Sequence, residues 1–172
     1  VVIAIQRKLP QAYLHWEDLG RENARRNLER YHQQMCTFND DMQGTGAVTL
    51  VALLSAITRT KVPLTEQRIV IVGAGTAGTG IADQLCAAMR REGLSQQEAL
   101  SRFYLVGRHG LLHQAMPELT AFQKPYARSD LAETGTNLSL PAGVKRIKPS
   151  ALIGCSGPGG VVTAALIETR AG

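Results

Sequence analysis

Short apolar runs that end in glycine alternate with helical segments through the second half of the sequence. Residues 68–72 (Arg-Ile-Val-Ile-Val) place four β-branched apolar residues in a row after Arg68, which is typical of a central parallel strand buried on both faces. Residues 76–91 follow as a predicted helix, which Gly93 is expected to end. Similar apolar runs at residues 103–106 and 151–155 predict two further strands. This alternation predicts an α/β fold with a Rossmann-like, doubly wound parallel sheet flanked by helices.

The first sixty residues show a second alternation. Residues 14–16 are predicted to form a short buried strand, and residues 37–41 a short strand or loop. Between them, residues 21–34 have the Glu-, Arg-, Leu- and Ala-rich pattern of an amphipathic helix. Residues 45–57 are rich in alanine, valine and leucine, so we expect a buried helix there. A last helix is predicted over residues 161–170.

Three smaller features complete the structural prediction. The Ser-x-x-Glu pattern from Ser95 to Glu98 is that of a capping box and predicts a short extra helix. Residues 116–141 lack a period and are expected to be irregular, with at most one short helix. His15, in its short strand, is expected to be a packed core residue.

Composition and charge narrow the class of protein. A hydrophobic content of 44% and a mean hydropathy of -0.07 are typical of a soluble globular chain. The net charge of +5 comes from scattered basic residues without interleaved aromatics, which argues against nucleic acid as a partner. No apolar run approaches the roughly 18–20 residues that a membrane helix needs, so no membrane association is expected.

The cysteines indicate the cellular compartment, and the first residues indicate whether the chain is part of a longer one. The three cysteines are far apart and form no Cys-x-x-Cys pair, which favours a reducing, cytoplasmic location. The chain opens with Val1 inside an apolar run. We therefore interpret it as part of a larger protein, carrying a partial domain.

A glycine-rich segment follows the central predicted strand directly. Residues 73–78 read Gly-Ala-Gly-Thr-Ala-Gly, the G-x-G-x-x-G pattern of dinucleotide-binding proteins, and they open the next predicted helix. The first glycine allows the tight turn, the second a close approach to a pyrophosphate, and the third close packing of helix and strand. The alternative is a plain tight turn between a strand and a helix.

The end of the second predicted strand departs from the NAD-binding pattern. An acidic residue there normally binds the ribose hydroxyls, but this sequence has Gly107. Losing hydrogen bonds to a charged partner costs on the order of 1.5–3 kcal/mol. The adjacent Arg108 could instead pair with the 2′-phosphate of NADP, so the residues themselves leave both cofactors open.

Two pairs of carboxylates follow the short strands of the first sixty residues. Glu17 and Asp18 follow the first strand, and Asp40 and Asp41 end the second extended segment. Carboxylates that converge at strand ends suit a hard divalent cation such as Mg²⁺ or Mn²⁺. Acidic residues in these positions can equally cap helices and face water.

Two stretches carry a resemblance to the malic and malolactic enzymes. Residues 36–48 (Cys-Thr-Phe-Asn-Asp-Asp-Met-Gln-Gly-Thr-Gly-Ala-Val) resemble the malic enzyme signature, and residues 15–24 resemble the segment upstream of it. Residues 73–83 are similar to the cofactor turn of the same family. Residues 110–112, 122–128 and 153–157 also fit in order, so the resemblance covers nearly the whole chain.

The resemblance implies a role for each matching position. Glu17, Asp18 and Asp41 would hold Mg²⁺ or Mn²⁺, and Asp40 would shape the catalytic centre. The residues expected to contact or lie near the cofactor are Thr45, Gly73, Ala74, Gly75, Thr76, Ala77, Gly78, Gly107, Arg108, Gln123, Cys155, Ser156 and Gly157.

Two of these positions give conflicting indications of which cofactor is bound. Gln123 falls where NADP-using members tend to carry a lysine, which favours NAD. Gly107 replaces the family's usual aspartate, which leaves NADP open.

The expected function is oxidative decarboxylation of L-malate to pyruvate and CO₂ with NAD or NADP and a divalent metal. Residues 1–60 would carry the metal-binding carboxylates and residues 66–172 the dinucleotide-binding core of a single domain. The family's catalytic tyrosine and lysine lie upstream and a substrate-binding asparagine downstream, so this chain alone is expected to be inactive. The resemblance also implies a homo-oligomer, either a dimer or a tetramer.

Four alternatives stay open. A malolactic enzyme would convert L-malate to L-lactate and CO₂ with bound NAD. A different hydroxy-acid or amino-acid dehydrogenase would share the glycine turn and need no metal. A non-catalytic dinucleotide-binding module would bind without turnover, and a nucleic-acid binder would show steep salt dependence.

Overall fold

The computed structural model describes residues 1–130, 139–157 and 159–171. Seven α-helices lie in these ranges: α1 Val2–Lys8, α2 Arg21–Tyr31, α3 Thr45–Thr60, α4 Thr76–Arg91, α5 Gln96–Ser101, α6 Leu140–Ile147 and α7 Ala164–Ala171. The strands in the same ranges are β1 Leu14–Trp16, β2 Thr37–Asn39, β3 Ile69–Val72, β4 Phe103–Gly107, β5 Gly110–Leu111 and β6 Ala151–Gly154.

The larger sheet has the strand order β5-β4-β3-β6. Strand β3 lies between β4 and β6 and runs parallel to both, with Ile71 opposite Leu105 on one side and Ile153 on the other. All four residues of β3 are buried, as its unbroken apolar sequence predicts. Strand β5 is antiparallel to β4 and was not predicted, so the sheet is mixed at that edge.

Helices cover both faces of this sheet, as expected for a doubly wound fold. On one face Ile69 and Ile71 pack with α4 and α5 in a core that includes Phe103 and Tyr126. On the other face Val70 and Val72 pack with Val144 of α6 and Leu166 of α7. The alternating strand side chains thus reach two apolar layers, which is what holds β3 in the middle.

Strands β1 and β2 form a separate parallel pair, with Trp16 opposite Asn39. The strand at residues 14–16 is confirmed, but the expectation that it is buried is wrong, as is a core position for His15, which is exposed. His15 contacts the rings of Tyr13 and Phe38 instead. Being outside the main sheet, the pair is not enclosed by two layers of helices.

The helix predictions succeed where local signals are strong. Helix α4 has the predicted bounds, and Gly93, with a φ of 106°, follows its end. Helix α5 begins with a complete capping box, in which the Ser95 hydroxyl accepts from the Glu98 amide and the Glu98 carboxylate accepts from the Ser95 amide.

Two helix predictions are corrected. Helix α3 is longer than predicted and is not buried: Val48 is 71% exposed and Val51 63% exposed. Apolar composition buries a helix only where another layer packs on it, and here the main sheet core is contacted by Leu50, Leu53 and Ile57. Helix α6 was not predicted: it begins at the end of the segment expected to be irregular, and Pro141 lies in its first turn, where proline is well suited.

Two further observations bound the fold. Residues 131–138 of the segment predicted to be irregular lie outside the described ranges. None of the helices in the described ranges is long and apolar enough to cross a membrane.

Candidate functional site

The glycine-rich turn between β3 and α4 is packed backbone against backbone. Gly73 has a φ of 117°, and a Cβ there would lie 2.9 Å from the Cys155 carbonyl carbon and the Ser156 nitrogen. A Cβ at Gly78 would overlap the Gly73 carbonyl oxygen. Glycine is therefore required at both positions by the close approach of β3, α4 and the segment after β6.

The second glycine faces open space. Gly75 is the N-cap residue of α4, and a Cβ built on it would meet no atom within 4 Å. Gly75 has no side chain that could cap the first turn of α4, in which Thr76 and Ala77 lie. The start of a sixteen-residue helix behind this glycine fits a pyrophosphate, because the helix dipole favours an anion and Gly75 allows it to approach the backbone.

The turn lies where the strand order reverses. The chain passes from β3 to β4 on one side and later returns to β6 on the other, so the carboxyl ends of β3 and β6 flank a topological switch point, where open α/β sheets bind ligands. Cys155 follows β6, and its amide donates to the Val72 carbonyl at 2.9 Å. Ser156 and Gly157 come next, so these three predicted cofactor residues follow a strand end that adjoins the glycine turn.

The Cys155 thiol is held under this turn. Its Sγ lies 3.4 Å from the Gly73 carbonyl oxygen and 3.5 Å from the Val72 carbonyl oxygen, both within reach of its weak S–H donor. Burial raises the pKa of the Cys155 thiol, so the thiol stays protonated at neutral pH and keeps these contacts.

Beside the turn lies a cavity of about 470 Å³, the size of small-molecule sites. Gly107 and Arg108 line it at the end of β4, and Leu112 and Phe122 supply apolar walls. Gln123 also lines it and donates from Nε2 to the Ala74 carbonyl at 2.7 Å, which braces the glycine turn. The structure thus gathers the predicted cofactor residues of the glycine turn, the β4 end and Gln123 around one cavity and turn.

The predicted metal-binding carboxylates are only partly gathered. The Asp18 amide donates to Asp41 Oδ2 at 3.2 Å, which places the ends of β1 and β2 side by side. Asp18 has a φ of 52°, and both Glu17 and Asp18 are exposed. Oxygen donors of this kind fit Mg²⁺ or Mn²⁺ chemically. In the described residues, however, no three histidine, cysteine or acidic side chains are grouped as a metal ion requires.

A five-residue π-helix, Asp40–Gly44, carries Asp40 and Asp41, and the sequence did not predict it. Insertions of this type occur often at functional sites. Buried Asn39 caps this helix. Its side-chain Oδ1 accepts from the Met42 backbone amide at 2.9 Å, and its backbone amide donates to Gln43 Oε1 at 3.0 Å.

Two predicted site residues, Asp40 and Thr45, lie at the start and just beyond the end of this π-helix. An asparagine before two aspartates is a recognisable N-cap signal that could have identified the turn. Predicted Thr45 lies at the start of α3, and its hydroxyl donates to the Asp40 carbonyl at 3.3 Å. The side chain of Asp40 lies over the α-carbon of Gly44, where a Cβ would overlap it.

Asp83 on α4 joins three parts of the chain and was also missed. It accepts from Tyr126 Oη at 2.6 Å and forms an ion pair with Arg25 of α2. Tyr126 is 3% exposed, and burial, reinforced by the Asp83 charge, raises the pKa of its hydroxyl. Tyr126 therefore stays a neutral donor that ties the segment bearing Gln123 to α4.

Comparison with known proteins places this geometry in a family. The protein-family model described as "Malic enzyme, NAD binding domain" matches residues 42–172 of the sequence. The chain is 49% identical to NAD-dependent malic enzyme 3 of Bacillus subtilis, over 98% of this chain and 31% of that relative. It is 41% identical to the malolactic enzyme of Leuconostoc mesenteroides, over 99% of this chain and 32% of that relative.

Solved structures agree with the sequence relatives. A crystal structure of Entamoeba histolytica malic enzyme is similar with a TM-score of 0.74 and 25% identity, and the match covers 98% of this chain and 34% of that one. The NAD-dependent malic enzyme from Thermotoga maritima gives a TM-score of 0.73 at 24% identity, which supports the fold. The chain spans about a third of the length of the curated relatives it matches.

Proposed function

We propose a function on the premise that this chain belongs to the malic enzyme family. The protein that contains it catalyses the metal-dependent oxidative decarboxylation of L-malate to pyruvate and CO₂, with NAD as the oxidant. One observation carries the proposal: the glycine turn and the turn with Asp40 and Asp41 contact the same helix, α4, so a cofactor turn and a carboxylate turn lie close together.

The cofactor half rests on the glycine turn that precedes α4. The Gly73–Gly78 turn binds the pyrophosphate, with Gly75 allowing its close approach, and the cavity at Gly107 and Gln123 takes the adenosine end. A bound nicotinamide ring supplies the acceptor for hydride from C2 of malate. Cys155, Ser156 and Gly157 lie at the neighbouring strand end and orient that ring.

The metal half rests on the contact between Asp18 and Asp41. In this proposal Glu17, Asp18 and Asp41 would hold Mg²⁺ or Mn²⁺. Such an ion would polarise the carbonyl of the oxidised substrate and so favour loss of CO₂. Asp40 is not one of the proposed metal ligands; it lies in the same π-helix as Asp41 and shapes the site from there.

The remaining parts of the proposal come from the family. The catalytic tyrosine and lysine and the substrate-binding asparagine lie outside these 172 residues, so the chain alone does not turn over malate. The complete protein acts as a homo-oligomer, and L-malate is its small-molecule partner.

The direct test is to incubate the full-length protein with L-malate, Mn²⁺ and either NAD⁺ or NADP⁺, measuring absorbance of the reduced cofactor together with organic acids. Pyruvate in equal amount with NADH is expected. Replacing Asp41 with Asn should abolish turnover, while Glu92→Gln, a matched change at an exposed acid beyond the last turn of α4, should leave it unchanged. Absence of both pyruvate and lactate with either cofactor would reject the proposed function.

The second candidate is malolactic conversion, favoured by the 41% identity to the Leuconostoc mesenteroides enzyme over 99% of this chain. The same residues would serve, with the cofactor returning its hydride to C2. L-Lactate without accumulation of NADH in the same assay would select this function.

A further inference from the structure

Helix α4 is in close backbone contact with functional turns on two sides. Gly78 packs against the Gly73 carbonyl in the cofactor turn. Two residues later, a Cβ at Gly80 would lie 2.8 Å from both the Cα and the carbonyl oxygen of Met42, in the middle of the Asp40–Gly44 π-helix. Met42 is 5% exposed, so it has little room to move.

The two contacts lie on nearly opposite sides of the helix. Each residue of an α-helix turns by about 100°, so positions two apart point about 200° apart. Gly78 therefore faces β3 and the cofactor turn, while Gly80 faces the carboxylate turn. The two turns are therefore separated by the backbone of α4 alone, because neither glycine carries a side chain.

A third glycine extends the second contact. Gly46, at the start of α3, is buried, and a Cβ there would lie 3.1 Å from the Gly80 carbonyl oxygen and 2.6 Å from Gln84 Cγ. The π-helix and the first turn of α3 thus both rest on the same stretch of α4. A side chain at either Gly46 or Gly80 would push the carboxylate turn away from α4, yet it would not touch the cofactor turn.

We propose that Gly80 is a positioning residue that sets the spacing between the carboxylate turn and the cofactor turn, with Gly46 supporting it. The inference rests on the proposed function only in naming what the two turns bind. The spacing matters because hydride transfer needs substrate and nicotinamide in fixed geometry, and a displacement of about 1 Å can cost on the order of 100-fold in rate.

The first test compares Gly80→Ala with wild type in the full-length protein. We expect kcat for L-malate to fall about 10- to 100-fold and the KM for Mn²⁺ to rise, while the Kd for NADH stays within about twofold. Amide hydrogen exchange should accelerate in residues 39–46 and stay unchanged in residues 73–79. The control is Gly143→Ala on α6, where a Cβ would meet only Ile147 Cδ1, at 3.9 Å, and which should behave as wild type.

A second test works even if Gly80→Ala fails to fold. In Gly46→Ala the closest atom is Cγ of the flexible Gln84 side chain, at 2.6 Å, so adding Gln84→Ala should restore part of the slow exchange in residues 39–46. The tight contacts with the Gly80 carbonyl oxygen at 3.1 Å and with the Cβ of residue 84 at 3.2 Å would remain. It should not rescue Gly80→Ala, whose neighbour is the Met42 backbone.

Three results would overturn the spacing role. They are a parallel loss of NADH affinity in Gly80→Ala, unchanged exchange in residues 39–46, or no rescue of Gly46→Ala by Gln84→Ala. A wild-type protein that makes neither pyruvate nor lactate would reject the proposed function instead, and the exchange measurements would still decide the spacing role.

Discussion

The cofactor turn and the carboxylate turn differ in how firmly the surrounding described residues fix their conformation. The cofactor turn follows β3, whose side chains are at most 2% exposed, and glycine contacts with backbone atoms fix its path. The carboxylate turn follows β2, a three-residue strand that pairs with three-residue β1 in a two-stranded sheet. The other two candidate ligands, Glu17 and Asp18, follow β1 and are exposed.

The difference shows which interactions build each turn. Backbone contacts of Gly73 and Gly78 are made once the sheet and α4 form, so the cofactor turn is already shaped for its ligand. A two-stranded sheet is marginal by itself. The carboxylate turn depends on the Asn39 cap and on packing against α4. In the proposed function, a bound ion would draw its acids together with Glu17 and Asp18.

The largest effect is expected from Gly78→Ala, which attacks the cofactor turn through its backbone packing. The new Cβ would overlap the Gly73 carbonyl, and neither group can rotate away. We expect a loss of at least about 3 kcal/mol in the free energy of unfolding, measured by urea denaturation. A variant as stable as wild type would show that this packing does not define the turn.

Asp41→Asn tests the other turn. Removing one anionic ligand should weaken Mn²⁺ binding at least about tenfold, comparable to losing a group that supports a metal site. The Kd for NADH should not change, since Asp41 lies on the far side of α4. Calorimetric titration with each ligand separates the two effects, and equal weakening of both would contradict the division into two turns.

Gly75→Ala sharpens the comparison within the cofactor turn. A Cβ there has no protein neighbour, so stability should change by less than about 1 kcal/mol. It would stand where the pyrophosphate approaches, so NADH affinity should fall about tenfold or more. Paired with Gly78→Ala, this variant separates a glycine needed for the ligand from one needed for the fold. Normal NADH affinity would place the pyrophosphate elsewhere.

The smallest change is expected from Gly107→Asp at the edge of the cavity. A Cβ at Gly107 would make an ordinary contact, 3.4 Å from Leu112 Cδ2, so the acid should be accommodated. Restoring a partner for the ribose hydroxyls and repelling a 2′-phosphate should raise the preference for NADH over NADPH about tenfold. Fluorescence titration with both cofactors measures the ratio, and an unchanged ratio would mean that Gln123 or another residue sets it.

The sequence predicted the cofactor region far better than the carboxylate region. The apolar run before Gly73 and the capping box at Ser95 are local signals, so β3, α4 and α5 appear where expected. The burial of α3 and of His15 depends on which layers pack against them, which local pattern does not reveal.

The same limit applies to the site. The glycine positions follow from a motif whose geometry is set by the backbone. The contact of Gln123 with Ala74, the junction at Asp83 and the packing of Gly80 on Met42 join residues more than thirty positions apart. Contacts of that kind form only when the chain folds, and no spacing of residues along the sequence predicts them.

The most direct test of the difference between the two turns is an NADH titration of the full-length protein with excess Mn²⁺ and again with EDTA. If the cofactor turn is complete without the carboxylate turn, the two Kd values should agree within about twofold. If NADH binds only when Mn²⁺ is present, the cofactor turn is not preformed, and the division into a finished and an unfinished turn is wrong.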